Sequence, residues 1–520
     1  MKSLFIVLAL IAFTNAQANG NQSLLSNSIP YPYYDVHKTS EGKTNYLTVL
    51  NSGIVSLQAR IDMIRNAQHR IEVEYFIYAL DQSSKLFTLE LIKAAERGVK
   101  VRVLVDKSGT VFQLDEYYAK ALKEKGVEVR YYNAAPLIRF SSINFRNHRK
   151  LISVDDKVAI TGGRNIGDDY FDLSPEYNFV DRDVIVEGPM VKTMRESFDK
   201  FYDSEITEHP TYPSRPADRV TQGTGDSHAE RMTWVDNTSN VKKYLKRISE
   251  ARAFVTQTQA NTYLLDKVER IAKPLVADKE KHLCPELTYS TDAHGGNFFT
   301  RLFDRYSDEY RFLRKTLHDK TYNTNHKLFL SSPYILNNGK TRKLMSHLLE
   351  NDVEITMLTN SLASTDAIYI AANLYKDIFR WARMGMKTYI HAGTFYERNE
   401  ILNESIASAR WGTHSKTQIY DSIDENGNLI SEVMIGTYNI DNRSNHYNTE
   451  MAIFCKGSDS YTEEVRESAN HRLDNAYRVH GNQTAYNANG ERVSIFGDKA
   501  ENKLLTALIA MPSWLLKFLL

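Results

Sequence analysis

Two stretches of the chain carry residue types that can act together on one bond. His148-Arg149-Lys150 is followed, after four residues, by Asp155 and then by Gly162-Gly163-Arg164-Asn165. His414-Ser415-Lys416 is followed, after four residues, by Asp421 and then by Gly436-Thr437-Tyr438-Asn439. The composition predicts one His-x-basic-x4-acid pattern only about 0.2 times by chance, so two, each trailed by Gly-x-x-Asn, mark a site. These residues suit attack at a phosphodiester, whose negative charge repels nucleophiles until its oxygens are neutralised. Lys150 and Lys416 supply positive charge, and Asn165 and Asn439 can donate hydrogen bonds to the same oxygens. Two histidines with unperturbed pKa near about 6.5 can serve as nucleophile and as acid for the departing alkoxide. Neither stretch holds the whole set, so the site is expected where the two meet.

The elements around these stretches repeat. RIDMIRNAQHR has helical spacing and runs into the strand IEVEYFIYAL. LFTLELIKAAERG leads to VKVRVLVD, and AKALKEKG to VEVRYYN, so helix, glycine and strand recur. Later HKLFLSSPYIL, KLMSHLLENDVEITMLTN and FRWARMGMKTYIHAG follow the same order before the second His-x-Lys. An internal duplication of one α/β unit accounts for this, with a first domain at 45–211, a linker at 212–231 and a second domain at 232–480. Residues 273–297 read as an irregular insertion. Glu74 and Tyr334, on the early strands of the two copies, are candidates for facing the site.

With 42% hydrophobic and 25% charged residues the chain is globular, and its formal charge of +1 gives no field for nucleic acid. Residues 1–18, with Lys2 and the apolar run Leu4–Phe13 before Ala16-Gln17-Ala18, read as a secretory signal peptide. Residues 481–520 form an extension whose end, NKLLTALIAMPSWLLKFLL, suits a membrane surface or a packed final helix. Cys284 and Cys455 read as buried or incidental thiols, with a bridge between them allowed only in an oxidising compartment. Asn442-Arg443-Ser444 is a glycosylation sequon beside Asn439 and favours a compartment without that modification. No HExxH, CxxC, EF-hand or P-loop occurs, and paired lysines make a metal unnecessary, so no metal or cofactor is expected.

The duplicated HxKxxxxD with its glycines and asparagine resembles the phospholipase D superfamily over about Asn45–Ala476. FRNHRKLISVDDKVAITGGRNIGDDYF and TNSLASTDA are most similar to its bacterial cardiolipin-synthase branch, in particular the exported C-type members. The resemblance implies two phospholipase-D-like α/β sandwich domains with one shared active site at their interface. It also implies transfer of a phosphatidyl group through a phosphohistidine on His148, with His414 as acid and base. Lys150 and Lys416 complete the catalytic set, while Asp155 and Asp421 hold the motif turns. Asp183 in VDRDVIV and Glu450 in NTEMAIF occupy positions that orient the histidines.

Two departures stand out. Fourteen residues separate Asp421 from Gly436 where six separate Asp155 from Gly162, a difference explained by a longer hairpin through Asp424-Glu425-Asn426-Gly427-Asn428. IYIAANLYKD, after TNSLASTDA, lacks the histidine-alanine-glycine phrase of close cardiolipin synthases, which bears on the acceptor. The partners implied are phospholipids and a membrane surface outside the cytoplasm. The alternatives are a secreted phospholipase D with water as acceptor, a nuclease, and a non-catalytic lipid-binding protein.

Overall fold

The computed structural model describes residues 37–38, 43–108, 112–133, 145–223, 232–256, 259–294, 311–335, 339–366, 368–394 and 404–498. Residues 1–18, read as a leader, and the apolar end of the tail lie outside the described residues. Among the described residues no helix is long and apolar enough to cross a membrane.

Two mixed sheets carry the fold, one of nine strands and one of eleven. In the first, Arg70–Tyr75, Lys100–Asp106 and Val127–Tyr132 run parallel. The sheet continues antiparallel through Leu151–Val154, Val158–Gly162, Asp183–Glu187 and Asn45–Leu50. The second sheet repeats that order with Lys327–Ser331, Glu354–Asn360 and Lys387–His391, then Thr417–Ile423, Leu429–Gly436, Met451–Lys456 and Glu286–Thr291. Duplication of one α/β unit is thus written into strand order, direction and register alike.

A shared core lies between the sheets. Leu47, Val49, Val184 and Val186 of the first sheet join Leu287, Val433, Ile435 and Ile453 of the second in one buried cluster. The helix Met190–Tyr202 adds Met194, Phe198 and Phe201 to it, because its buried positions recur at helical spacing along one face. Each such side chain contributes about 1.5–3 kcal/mol when fully buried. The two halves are therefore joined by apolar packing, which fixes the geometry of anything built across their boundary.

The domain boundaries differ from the sequence reading. The sequence places residues from 232 in the second domain, yet the helices Thr238–Thr256 and Gln259–Ala277 pack on the first half: Phe254, Val255, Val268 and Ala272 belong to its core. The linker 212–231 contains the strand Arg219–Gly223, which pairs with Met232–Asp236. The stretch 273–297, read as irregular, holds the end of a helix and two strands: His282–Cys284 closes the edge of the first sheet, and Glu286–Thr291 belongs to the second. The extension from 481 is structured at its start, where Ala485–Tyr486 and Arg492–Val493 prolong the second sheet.

Cys284 and Cys455 form a disulfide, with Cα atoms 5.9 Å apart. This overturns the reading of two incidental thiols. Separated by 171 positions, they become neighbours because the chain crosses between sheets at Pro285, and the bridge ties the edge strand of one sheet to a strand of the other.

Candidate active site

The two histidines stand on segments that the halves exchange. The His148 backbone N–H donates to the Thr449 carbonyl at 3.0 Å, and the His414 N–H donates to the Val180 carbonyl at 2.9 Å. Around the second contact Arg410–Thr413 pairs in parallel with Tyr177–Val180; around the first, Asn147 bridges Thr449 in the same sense. Each histidine is thus laid beside the residue that precedes a carboxylate of the other half.

Those carboxylates grip the rings. His148 Nδ1 lies 2.9 Å from Glu450, and His414 Nδ1 lies 2.6 Å from Asp181. Both carboxylates are fully buried. Glu450 also accepts from the hydroxyls of Thr437 and Ser444, so its orientation is fixed before it reaches the ring. Contact through Nδ1 turns Nε2 of each imidazole away from its carboxylate.

The structure does not bring Asp183, the sequence candidate for this role, to a histidine. It accepts from Ser56 Oγ at 2.6 Å and from Arg60 at 2.9 Å, and lies 3.5 Å from Arg164, inside the first half. Asp181 takes the contact with His414 because it stands at the mouth of the strand, where the chain meets the second half. The paired glycines follow from the same carboxylates. A Cβ on Gly162 would lie 2.3 Å from Asp183 Oδ1, and one on Gly163 would lie 2.1 Å from Asp181 Oδ1. Only glycine leaves room for both.

Lys150 and Lys416 are buried beside their histidines. Lys150 Nζ donates to the His148 carbonyl at 2.8 Å, and Lys416 Nζ donates to the His414 carbonyl at 2.5 Å while lying 2.9 Å from Nε2 of the same ring. Burial lowers Lys150 to about 7 and Lys416 to about 8. Asn165 Oδ1 accepts from the Ile77 N–H at 3.2 Å, which turns its amide N–H group away from that strand. Asn439, behind the longer hairpin, donates its backbone N–H to the Ser444 hydroxyl oxygen at 3.2 Å, and its own side-chain Oδ1 is buried without a hydrogen bond.

Asp155 and Asp421 sit at the other end of the motif strands. Four strand residues separate Lys150 from Asp155, about 16 Å of extended chain. Asp155 accepts the backbone N–H groups of Gln68, His69 and Arg70, and Asp421 is held by both terminal nitrogens of Arg466. They fix strand ends and do not reach the histidines. Glu74 pairs with Arg149 at 3.2 Å and accepts from Asn147, behind the first motif, whereas the Tyr334 hydroxyl donates to Asp366 at 2.5 Å.

The two sides differ in charge. Burial, then the charges of Lys150, Lys416, His414 and Arg443, hold His148 well below the ordinary imidazole value. Burial and Lys416 lower His414 too, but Asp181 and the exposed Asp366 oppose the shift. Burial raises Asp181, yet His414, Lys416 and Arg164 outweigh it and hold it below the carboxylate range. Burial pushes Glu450 up to about 7. A proton is therefore held more readily on His414 than on His148. Aromatic rings line both sides, with Tyr170 and Phe179 packed on His414 and Phe76 edge-on to His148.

Two histidines with buried lysines beside them, each histidine held by a carboxylate of the opposite half, form the candidate site of duplicated units. A family model described as "Cardiolipin synthase, PLD-like domain" matches residues 60–202 and 317–472. The chain belongs to this phospholipase-D-like family and is an enzyme of the phospholipase D superfamily. Among curated relatives, an uncharacterised protein of Helicobacter pylori J99 is 26% identical over 90% of this chain and 89% of its own. Cardiolipin synthase C of Escherichia coli K12 is 26% identical over 77% of this chain and 79% of its own. Among solved structures, phosphatidylserine synthase of Haemophilus influenzae shares the fold with a TM-score of 0.59 at 14% identity, over 94% of this chain and 97% of that one.

Proposed function

We propose that this enzyme is a transphosphatidylase of the cardiolipin-synthase type, moving a phosphatidyl group from one phospholipid to the head-group alcohol of another. The observation that carries the reading is the pair of histidines, each held at Nδ1 by a buried carboxylate of the opposite half and differing in charge environment. The relationship to proteins named cardiolipin synthase supports the lipid substrate.

In this reading the donor phosphodiester lies among Lys150, Lys416, Asn165 and Asn439. His148, held neutral, attacks phosphorus through Nε2, and the P–O bond to the head group breaks. His414 gives its proton to the departing alcohol, leaving a phosphatidyl group on His148. The acceptor hydroxyl then loses its proton to His414 and attacks phosphorus, which frees His148. Glu450 and Asp181 keep each ring in the tautomer that presents Nε2. All protons return, so no redox partner is required.

Export to an oxidising compartment fits the Cys284–Cys455 disulfide and the leader-like residues 1–18. The apolar C-terminal segment supports action at a membrane surface.

The test is product analysis of the full chain on phosphatidylglycerol vesicles, with and without phosphatidylethanolamine. Cardiolipin as the main product is expected. Phosphatidic acid as the sole product would replace the transferase with a hydrolytic phospholipase D.

A further inference from the structure

Most buried or half-buried guanidinium groups near the site meet a carboxylate. Arg60 pairs with Asp183, Arg146 with Asp106, and Arg149 with Glu74. Arg443 differs. Half-buried, it makes no side-chain hydrogen bond or ion pair among the described residues, and its Nε is buried without a partner. The carboxylates whose charge it shares have other partners: Asp106 accepts from Arg146 and the Asn147 N–H, and Asp441 accepts the Ser444 N–H.

The placement is fixed. Arg443 stands on the short helix Asn442–His446, capped by Asp441, between Asn439 and Glu450. The next residue, Ser444, donates its hydroxyl to Glu450 and receives the Asn439 N–H. The Arg443 carbonyl accepts from the N–H groups of Tyr447 and Asn448, which locks the backbone beneath the guanidinium. Through Ser444 this helix reaches the carboxylate that holds His148, and the Arg443 charge bears on His148 itself.

The duplication provides an internal comparison. Ile166 and Ile440, each after the motif asparagine, form equivalent parallel bridges to Tyr78 and Ile335. Counting on from them, Asp169 occupies in the first half the place of Arg443 in the second. One unit thus carries a carboxylate at this position, and the other a guanidinium whose charge bears on His148. A role in folding shared by both units does not account for opposite charges.

We infer that Arg443 binds a phosphate carried by the acceptor alcohol, separate from the phosphodiester that reacts. This rests on the transferase reading above. Lys150, Lys416 and the two asparagines already serve the transferred group, whereas an acceptor lipid alcohol brings a second anion, for which a planar guanidinium provides a two-pronged donor. Among the described residues the half-buried cation makes no ion pair of its own, and it gains an anion when the acceptor arrives. The subsite favours phosphorylated alcohols over neutral alcohols and water.

The experiment uses the full chain with a labelled phosphatidylglycerol donor and three acceptors: excess unlabelled phosphatidylglycerol, soluble glycerol 3-phosphate, and glycerol. Arg443→Gln and Arg443→Lys are compared with wild type, and thermal melts exclude misfolding. The expected result is a fall in the ratio of kcat/KM for phosphorylated acceptors to that for glycerol, on the order of tenfold in Arg443→Gln and smaller in Arg443→Lys, expressed mainly in KM. A loss confined to phosphatidylglycerol would place recognition on the lipid head group; a loss shared with glycerol 3-phosphate would place it on phosphate alone. Either supports the subsite. An unchanged ratio, or equal loss on all three acceptors, would overturn it. Wild-type enzyme that releases only phosphatidic acid with every acceptor would instead defeat the transferase reading on which it rests.

Discussion

Asp181 and His414 are 233 positions apart in the chain and 2.6 Å apart in the fold. A buried carboxylate at Nδ1 fixes the tautomer and stabilises the imidazolium form. Asp181→Asn is expected to lower kcat by about 100-fold or more. Asp181 raises the proton affinity of His414, which in the proposed reaction is protonated to release the head group, so its loss is expected to move the alkaline limb of the pH–rate profile to lower pH. An unmoved limb would separate Asp181 from proton transfer.

Asp183→Asn separates the two neighbouring acids. It leaves Arg60 and Arg164 buried beside a neutral amide, a change of the kind that costs about 3–5 kcal/mol when a buried pair is broken. Denaturant unfolding is expected to show that loss, while the pH–rate profile of the remaining folded enzyme keeps its limbs.

His148→Ala is expected to abolish turnover by a factor of about 1,000 or more without preventing binding to phosphatidylglycerol vesicles. Rapid quench followed by peptide mass spectrometry of wild-type enzyme is expected to place a phosphatidyl adduct on the peptide containing His148. An adduct on the His414 peptide would exchange the two roles.

Asp155 acts on stability. Three backbone N–H groups hold its carboxyl below the ordinary value, in opposition to burial. A depressed folded-state pKa gives stability that is full above the unfolded value, about 3.9, and is lost as pH falls through the folded one. The stability gap between wild type and Asp155→Asn is therefore expected to be largest near neutral pH and to narrow below about pH 4. Urea unfolding at pH 7 and at pH 3.5 measures it.

Removal of the disulfide by Cys284→Ser is expected to cost about 2–5 kcal/mol, read as a lower unfolding midpoint under non-reducing conditions. The same midpoint in wild type with and without reductant would show that the bond is not formed in solution.

Much of this was legible because the signals were local. The strands around Val73, Val103 and Val129, the longer hairpin at Asp424–Asn428, and both histidines with their lysines followed from periodicity, turn chemistry and spacing. The His414 carboxylate was misplaced by two residues for a physical reason. Asp181 and Asp183 share strand parity, so side-chain alternation sends both to one face and cannot say which reaches the other half. The helices Thr238–Thr256 and Gln259–Ala277 escaped the sequence reading, which found no unit there, because local pattern reveals burial and not the surface a helix is buried against. The Cys284–Cys455 bridge spans 171 positions, and only the crossing at Pro285 brings its ends together.

The exchange of carboxylates between halves also constrains how this protein changes over generations. A substitution at Asp181 is felt first by His414, and one at Glu450 by His148, so neither copy is free to drift under its own selection. The second copy did not become a spare when the unit was duplicated; each came to lean on a carboxylate of the other, and the interlocked pair is what selection sees.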